Sequence, residues 1–93
     1  MNKEQLKKEE EVALLDEVDH AEKLILYNDD VNSFDHVIEC LIRICDHDAL
    51  QAEQSALLVH YKGKAIVKSG ERSELTAMCV ALCDEGLSAV IGE

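Results

Sequence analysis

Between Leu24 and Cys45 the apolar side chains change their spacing, from an unbroken run to a repeat of three and four, and an acidic turn marks the change. Leu24-Ile25-Leu26-Tyr27 is rich in strand formers and closes on Asn28-Asp29-Asp30, whose short polar side chains favour turns. Phe34, Val37, Ile38, Leu41, Ile42 and Cys45 then fall along one stripe of a helix, with Asn32 or Ser33 as the natural N-cap. A chain that must place a strand, a polar loop and an amphipathic helix in immediate succession is committed to packing that helix on a sheet.

The remaining residues continue the pattern. Asp48-Ala49-Leu50-Gln51 has capping-box spacing and opens a second helix, which carries Leu50, Leu57 and Leu58 toward Val59-His60 and ends by Gly63. Lys64-Ala65-Ile66-Val67-Lys68 reads as a strand that Ser69-Gly70 breaks. A third helix follows, with the stripe Leu75, Met78, Cys79 and Leu82 and with Gly86 suited to a left-handed C-terminal cap. Ala89-Val90-Ile91 is the last strand. The expected class is α+β in the order β-α-α-β-α-β, a small antiparallel three-stranded sheet with three helices packed on one face, covering residues 24–93. Residues 1–23 hold eight acids and four lysines with few large apolar groups, and read as a mobile acidic N-terminal arm.

A single domain of 93 residues buries only about 60–65% of its unfolded surface, which disfavours a deep enclosed active site. The formal charge of -11 repels phosphate backbones and anionic lipid surfaces, so neither nucleic acid nor a membrane is an expected partner; a cationic group is. The amino-terminal stretch has no apolar core of signal-peptide length, and no 18 apolar residues run together, which places the expected location in the cytoplasm. In a reducing compartment the four cysteines, at 40, 45, 79 and 83, read as small apolar residues.

Three polar residues in apolar settings stand out: Asn28 and Asp29 where the first strand ends, and His60 at the end of the second helix. Brought together, they offer an amide oxygen, a carboxylate and an imidazole nitrogen, the acceptors that an α-ammonium with three N–H donors requires. Taken alone, the residues fit an ordinary turn and a surface histidine better, since Asn-Asp clusters are common turn sequences. The stretch LILYNDDVNSFDHVIECL together with VHYKGKA, Val59 to Ala65, resembles the ClpS family of protease adaptors. That resemblance implies that Asn28, Asp29 and His60 hold the α-amino group of an N-degron substrate and that Asp30 lies near its first peptide groups. It also implies that Phe34, Val37 and Val59 belong to an adjoining pocket for a bulky apolar first residue. Asn32 falls in the same loop, and Ala56 stands where many bacterial members carry methionine. The implied partner is the amino-terminal domain of a ClpA-like Clp-type AAA+ unfoldase, with Glu74 and Cys79 aligned to docking positions. Neither an enzymatic activity nor a cofactor is implied.

Three rival readings compete with the adaptor. A zinc site from His36, Cys40, Cys79 and Cys83 uses i, i+4 pairs, but His36 and Cys40 lie about 200° and 240° around from Phe34, on the side expected to face solvent. An acid–base enzyme using Asp29 and His60 lacks a nucleophile motif and a phosphate loop. The third is an acidic protein–protein interaction domain without recognition of amino termini. Tyr27, Tyr61 and the leucine stripes read as core or half-core.

Overall fold

A computed structural model describes residues 21–92. The elements are β1 (Glu22–Tyr27), α1 (Phe34–Cys45), α2 (Ala49–Lys62), β2 (Lys64–Gly70), α3 (Arg72–Asp84) and β3 (Ser88–Gly92), the order expected. The first strand begins at Glu22 rather than Leu24, because Glu22 and Lys23 already pair with Gly70 and Ser69. Nearly all of the expected arm lies outside the described residues. Ser69 and Gly70 extend β2 instead of breaking it, for the same reason of pairing.

The strand order is β2-β1-β3, with β1 antiparallel to both neighbours. Leu24 and Leu26 are buried, while Ile25 and Tyr27, which alternate with them, point to the other face, as period-2 alternation requires. The three helices cover the first face, where Leu41 and Cys45 of α1 and Leu75 and Leu82 of α3 join Leu24 and Leu26 in one core. Five of these side chains are fully buried leucines, each contributing about 1.5–3 kcal/mol of transfer free energy.

The inner face of α2 departs from expectation. Leu50, Leu57 and Leu58 are exposed, and the buried side chains are Ala52, Ala56 and Val59. These small groups recur at steps of four and three, so they form a stripe too, and they let α2 lie close to its neighbours. Tyr27 and Tyr61, expected in or near the core, are 38% and 76% exposed.

Helix ends are closed by the residues that local chemistry favours. Ser33 Oγ accepts from His36 N at 3.1 Å to cap α1, and Asp48 Oδ1 accepts from Gln51 N at 2.7 Å to cap α2. After α3, Leu87 N donates to Leu82 O and Gly86 N to Cys83 O, each at 3.0 Å, with Gly86 at φ +88. That is a Schellman closure, which requires the left-handed conformation that glycine adopts without penalty.

A shift of register between Leu24 and Ile25 pairs them with Lys68 and Ile66, so Val67 has no partner on β1. The imidazole of buried His47 answers the displaced carbonyl: its Nε2 lies 2.6 Å from Val67 O and must donate, since a carbonyl only accepts. Replacing His47 with Ala leaves that carbonyl without its partner. We expect a loss of about 1–3 kcal/mol in urea unfolding, with partial recovery in His47→Gln, whose amide can donate.

Candidate functional site

The loop after β1 is shaped by one carboxylate. Asp29 Oδ1 accepts from the backbone N–H groups of Val31 at 2.9 Å and Asn32 at 2.7 Å, and its Oδ2 accepts from the Asn32 side-chain amide at 2.9 Å. The Asn32 backbone and side-chain N–H groups hold the Asp29 carboxyl below the usual carboxylate range, with Val31 N–H adding to the effect and partial burial opposing it. The group therefore stays anionic as pH falls toward the ordinary carboxylate range. The order it gives the loop is lost only below that.

Two further bonds fix where the loop sits. Asn32 Nδ2 also donates to Gly86 O at 2.8 Å, tying the loop to the closure after α3. Asn28 N donates to Gly63 O at 2.9 Å, tying the end of β1 to the end of α2. Gly63 takes φ +88 there, with its own N–H returned to Val59 O. The last turn of α2, carrying His60, is thereby held beside Asn28. Among the described residues neither the Asn28 side chain nor the His60 ring hydrogen-bonds to another protein group; His60 instead meets the Tyr61 ring edge-on, with centroids 5.0 Å apart.

These elements enclose a cleft of about 570 Å³. Its lining includes Asn28, Asp29, Asp30, Asn32, Phe34, Val37, Ala56, Val59 and His60, so the structure brings together all nine residues singled out for substrate contact. It adds Leu26, Tyr27, Leu57 and Tyr61. The signal that could have found these four is their adjacency to the polar trio, since each lies within a few positions of Asn28 or His60. Asn32 lines the cleft, yet both of its side-chain bonds go to protein groups, which makes it a positioning residue for Asp29. Chemically, the cleft sets the carboxylates of Asp29 and Asp30 and the acceptors of Asn28 and His60 against an apolar wall of Val37, Ala56 and Val59. Among the described residues, no serine, threonine, cysteine or lysine lines it.

The chain matches the profile described as "ATP-dependent Clp protease adaptor protein ClpS" over residues 18–89. This chain belongs to the ClpS family. It is 46% identical over 44 residues to the ATP-dependent Clp protease adapter protein ClpS of Escherichia coli O1:K1, and to the same degree to that of Cronobacter sakazakii. Each match covers 47% of this chain and 42% of the relative, so the chain spans less than half the length of these relatives. A structure of Agrobacterium tumefaciens ClpS2 bound to L-phenylalaninamide superposes with a TM-score of 0.71 at 20% identity, covering 77% of this chain and 94% of that one. The likeness shows the ClpS fold.

The two residues aligned to docking positions stand differently. Glu74 is exposed in the first turn of α3. Cys79 is partly buried, packing against the core and donating its thiol to Ala89 O at 3.4 Å. The four-residue zinc set is not assembled either: Cys40 is fully buried beside His36, and the third group that meets them is Glu85, not Cys79 or Cys83. The solvent-side placement of Cys40 fails because α1 is centred on Leu41 and Cys45, while Phe34 sits 40% exposed at the mouth of the cleft. No helix among the described residues is long and apolar enough to cross a membrane.

Proposed function

We propose that this protein is an adaptor that binds the free α-amino group and bulky apolar first residue of N-degron substrates and delivers them to a Clp-type AAA+ unfoldase. The observation that carries this reading is the cleft itself, where the Asp29 carboxylate, held in place by three N–H donors, borders an apolar wall. An α-ammonium is drawn to Asp29 and finds acceptors in Asn28 and His60, while its side chain enters between Val37, Ala56 and Val59. L-phenylalaninamide, the ligand of the Agrobacterium tumefaciens ClpS2 structure, joins a free amine to an aromatic side chain and so has the chemistry this cleft accommodates. The direct test is a fluorescence-anisotropy titration with peptides that differ only in their first residue. Equal binding of Phe, Leu, Ser and Glu peptides would reject the proposal.

The acceptor role of His60 can be tested by substitution. His60→Ala should weaken binding of Phe and Leu peptides by about 1.5–3 kcal/mol, the range for a hydrogen bond to a charged group, and His60→Gln, whose amide oxygen still accepts, should recover part of the loss. Equal affinity in wild type and His60→Ala removes His60 from the site.

Delivery requires a docking surface away from the cleft. Glu74, exposed on α3, supplies the charge for it, and Glu74→Lys should weaken capture of the unfoldase amino-terminal domain while leaving peptide affinity unchanged. Loss of both would point instead to misfolding, which circular dichroism detects.

A further inference from the structure

Beside the cleft, three potential ligand atoms converge that the adaptor function does not use. His36 and Cys40 lie one helical turn apart on α1, and Glu85 approaches from the end of α3, all three ligand atoms lying within 4.8 Å of one another. Cys40 Sγ and His36 Nε2 are 3.6 Å apart. A zinc ion with Zn–S of about 2.3 Å and Zn–N of about 2.0–2.1 Å at a tetrahedral angle holds its sulfur and nitrogen about 3.6 Å apart. The pair is already spaced as co-ligands, and the acidic chain favours a dication.

We propose that His36, Cys40 and Glu85 form a binding site for a thiophilic divalent metal ion, Zn²⁺ foremost, with water in the fourth position. Arg43 holds Oε1 of Glu85 at 2.8 Å, which leaves Oε2 free to ligate. Glu85 is half-exposed and is the group that must turn aside to admit the ion to the buried sulfur. Binding forms metal–sulfur, metal–nitrogen and metal–oxygen bonds. It expels the Cys40 thiol proton to solvent and moves the imidazole proton from Nε2, where it now faces Glu85 O at 3.0 Å, to Nδ1. Burial and the nearby Glu85 carboxylate raise the thiol pKa, so the free site holds a neutral thiol and loading releases a proton. The site borders the loop, because Gly86, next to Glu85, supplies the carbonyl that holds Asn32 against Asp29. A bound ion thus fastens the end of α3 to α1 at the point where the Asp29 loop is anchored.

The test is a titration of the reduced, metal-stripped full chain with Co²⁺, followed by displacement with Zn²⁺. One equivalent should produce a near-ultraviolet thiolate-to-cobalt band with the intense visible bands of tetrahedral cobalt. Cys40→Ala should abolish the thiolate band. His36→Gln and Glu85→Gln, at less buried positions, should each weaken binding by at least the roughly tenfold seen when even an outer partner of a ligand is removed. Cys79→Ala/Cys83→Ala should leave the spectrum intact. The proposal is overturned if wild type shows no thiolate band, if the band survives Cys40→Ala, if it is lost with Cys79 and Cys83, or if affinity ignores His36 and Glu85.

Discussion

Acetylating the amino terminus of a peptide that begins with Phe or Leu should weaken its binding by about 2–5 kcal/mol, roughly thirty- to several-thousand-fold. The acetyl group removes the positive charge and leaves a single amide N–H, so Asp29 loses its ionic partner and Asn28 and His60 are desolvated without full compensation. The same loss should appear when the charge is removed from the protein side. Asp29→Ala is an ambiguous probe, because the Asp29 carboxylate also accepts from Val31 N, Asn32 N and Asn32 Nδ2 and so shapes the loop. Asp29→Asn retains one side-chain oxygen for the two backbone donors and deletes the charge. Calorimetric titration of free and acetylated peptides against wild type and Asp29→Asn checks this: the four affinities should show a large acetylation penalty in wild type and a small one in the variant. An undiminished penalty in Asp29→Asn assigns the ammonium to another group.

The second large effect concerns which first residue enters. The resemblance places methionine at position 56 in many bacterial relatives; a methionine there, pressed against the Cβ of a bound residue, would exclude the branched Ile and Val while admitting Leu and Phe. Here Ala56 lines the cleft, with Phe34 and Leu57 partly exposed at its mouth. Peptides beginning with Ile or Val should therefore bind wild type, with up to about 1.5–3 kcal/mol from burial of each side chain before ordering costs. Ala56→Met should remove that binding by steric conflict and leave Leu and Phe peptides nearly unaffected. If wild type rejects Ile and Val as firmly as Ala56→Met does, then Phe34 or Leu57 fills the space and the wider specificity is refuted.

The parts of this molecule that were legible in the sequence are those where the spacing of apolar groups has one interpretation. Leu24 to Tyr27 and the stripe from Phe34 to Cys45 could only be strand and helix, and Ser33, Asp48 and Gly86 close helices through local bonds that no distant contact overrides. The inner face of α2 was misread because alanine is silent about burial. Ala52 and Ala56 face the core by virtue of their size, while Leu50 and Leu58 remain outside. Tyr27, Leu57 and Tyr61 failed for a related reason: a large apolar group beside a binding cleft follows the same pattern as one beside a core, and only tertiary placement separates the two. Cys40 was displaced by choosing Phe34 as the centre of the helix face, when that residue had been drawn to the cleft. The meeting of His36 with Glu85 spans 49 positions and depends on how α3 ends, which no local rule supplies.

The position of β1 at the centre of the sheet bears on how the domain comes into being. Its first partner, β2, is reached only after two helices, and its second, β3, is the last element of the fold. No neighbour is joined to β1 by a tight hairpin, so every ladder it makes closes a long loop, and such non-local pairing slows folding relative to chains rich in local contacts. The Asn28–Asp30 loop extends from this strand and is braced from Gly63 and Gly86, residues made much later. A partly synthesised chain thus has the loop sequence without the geometry that would grip an amino terminus. On the adaptor reading, that geometry should be in place only once Ser88–Gly92 has paired with β1 and the sheet is complete.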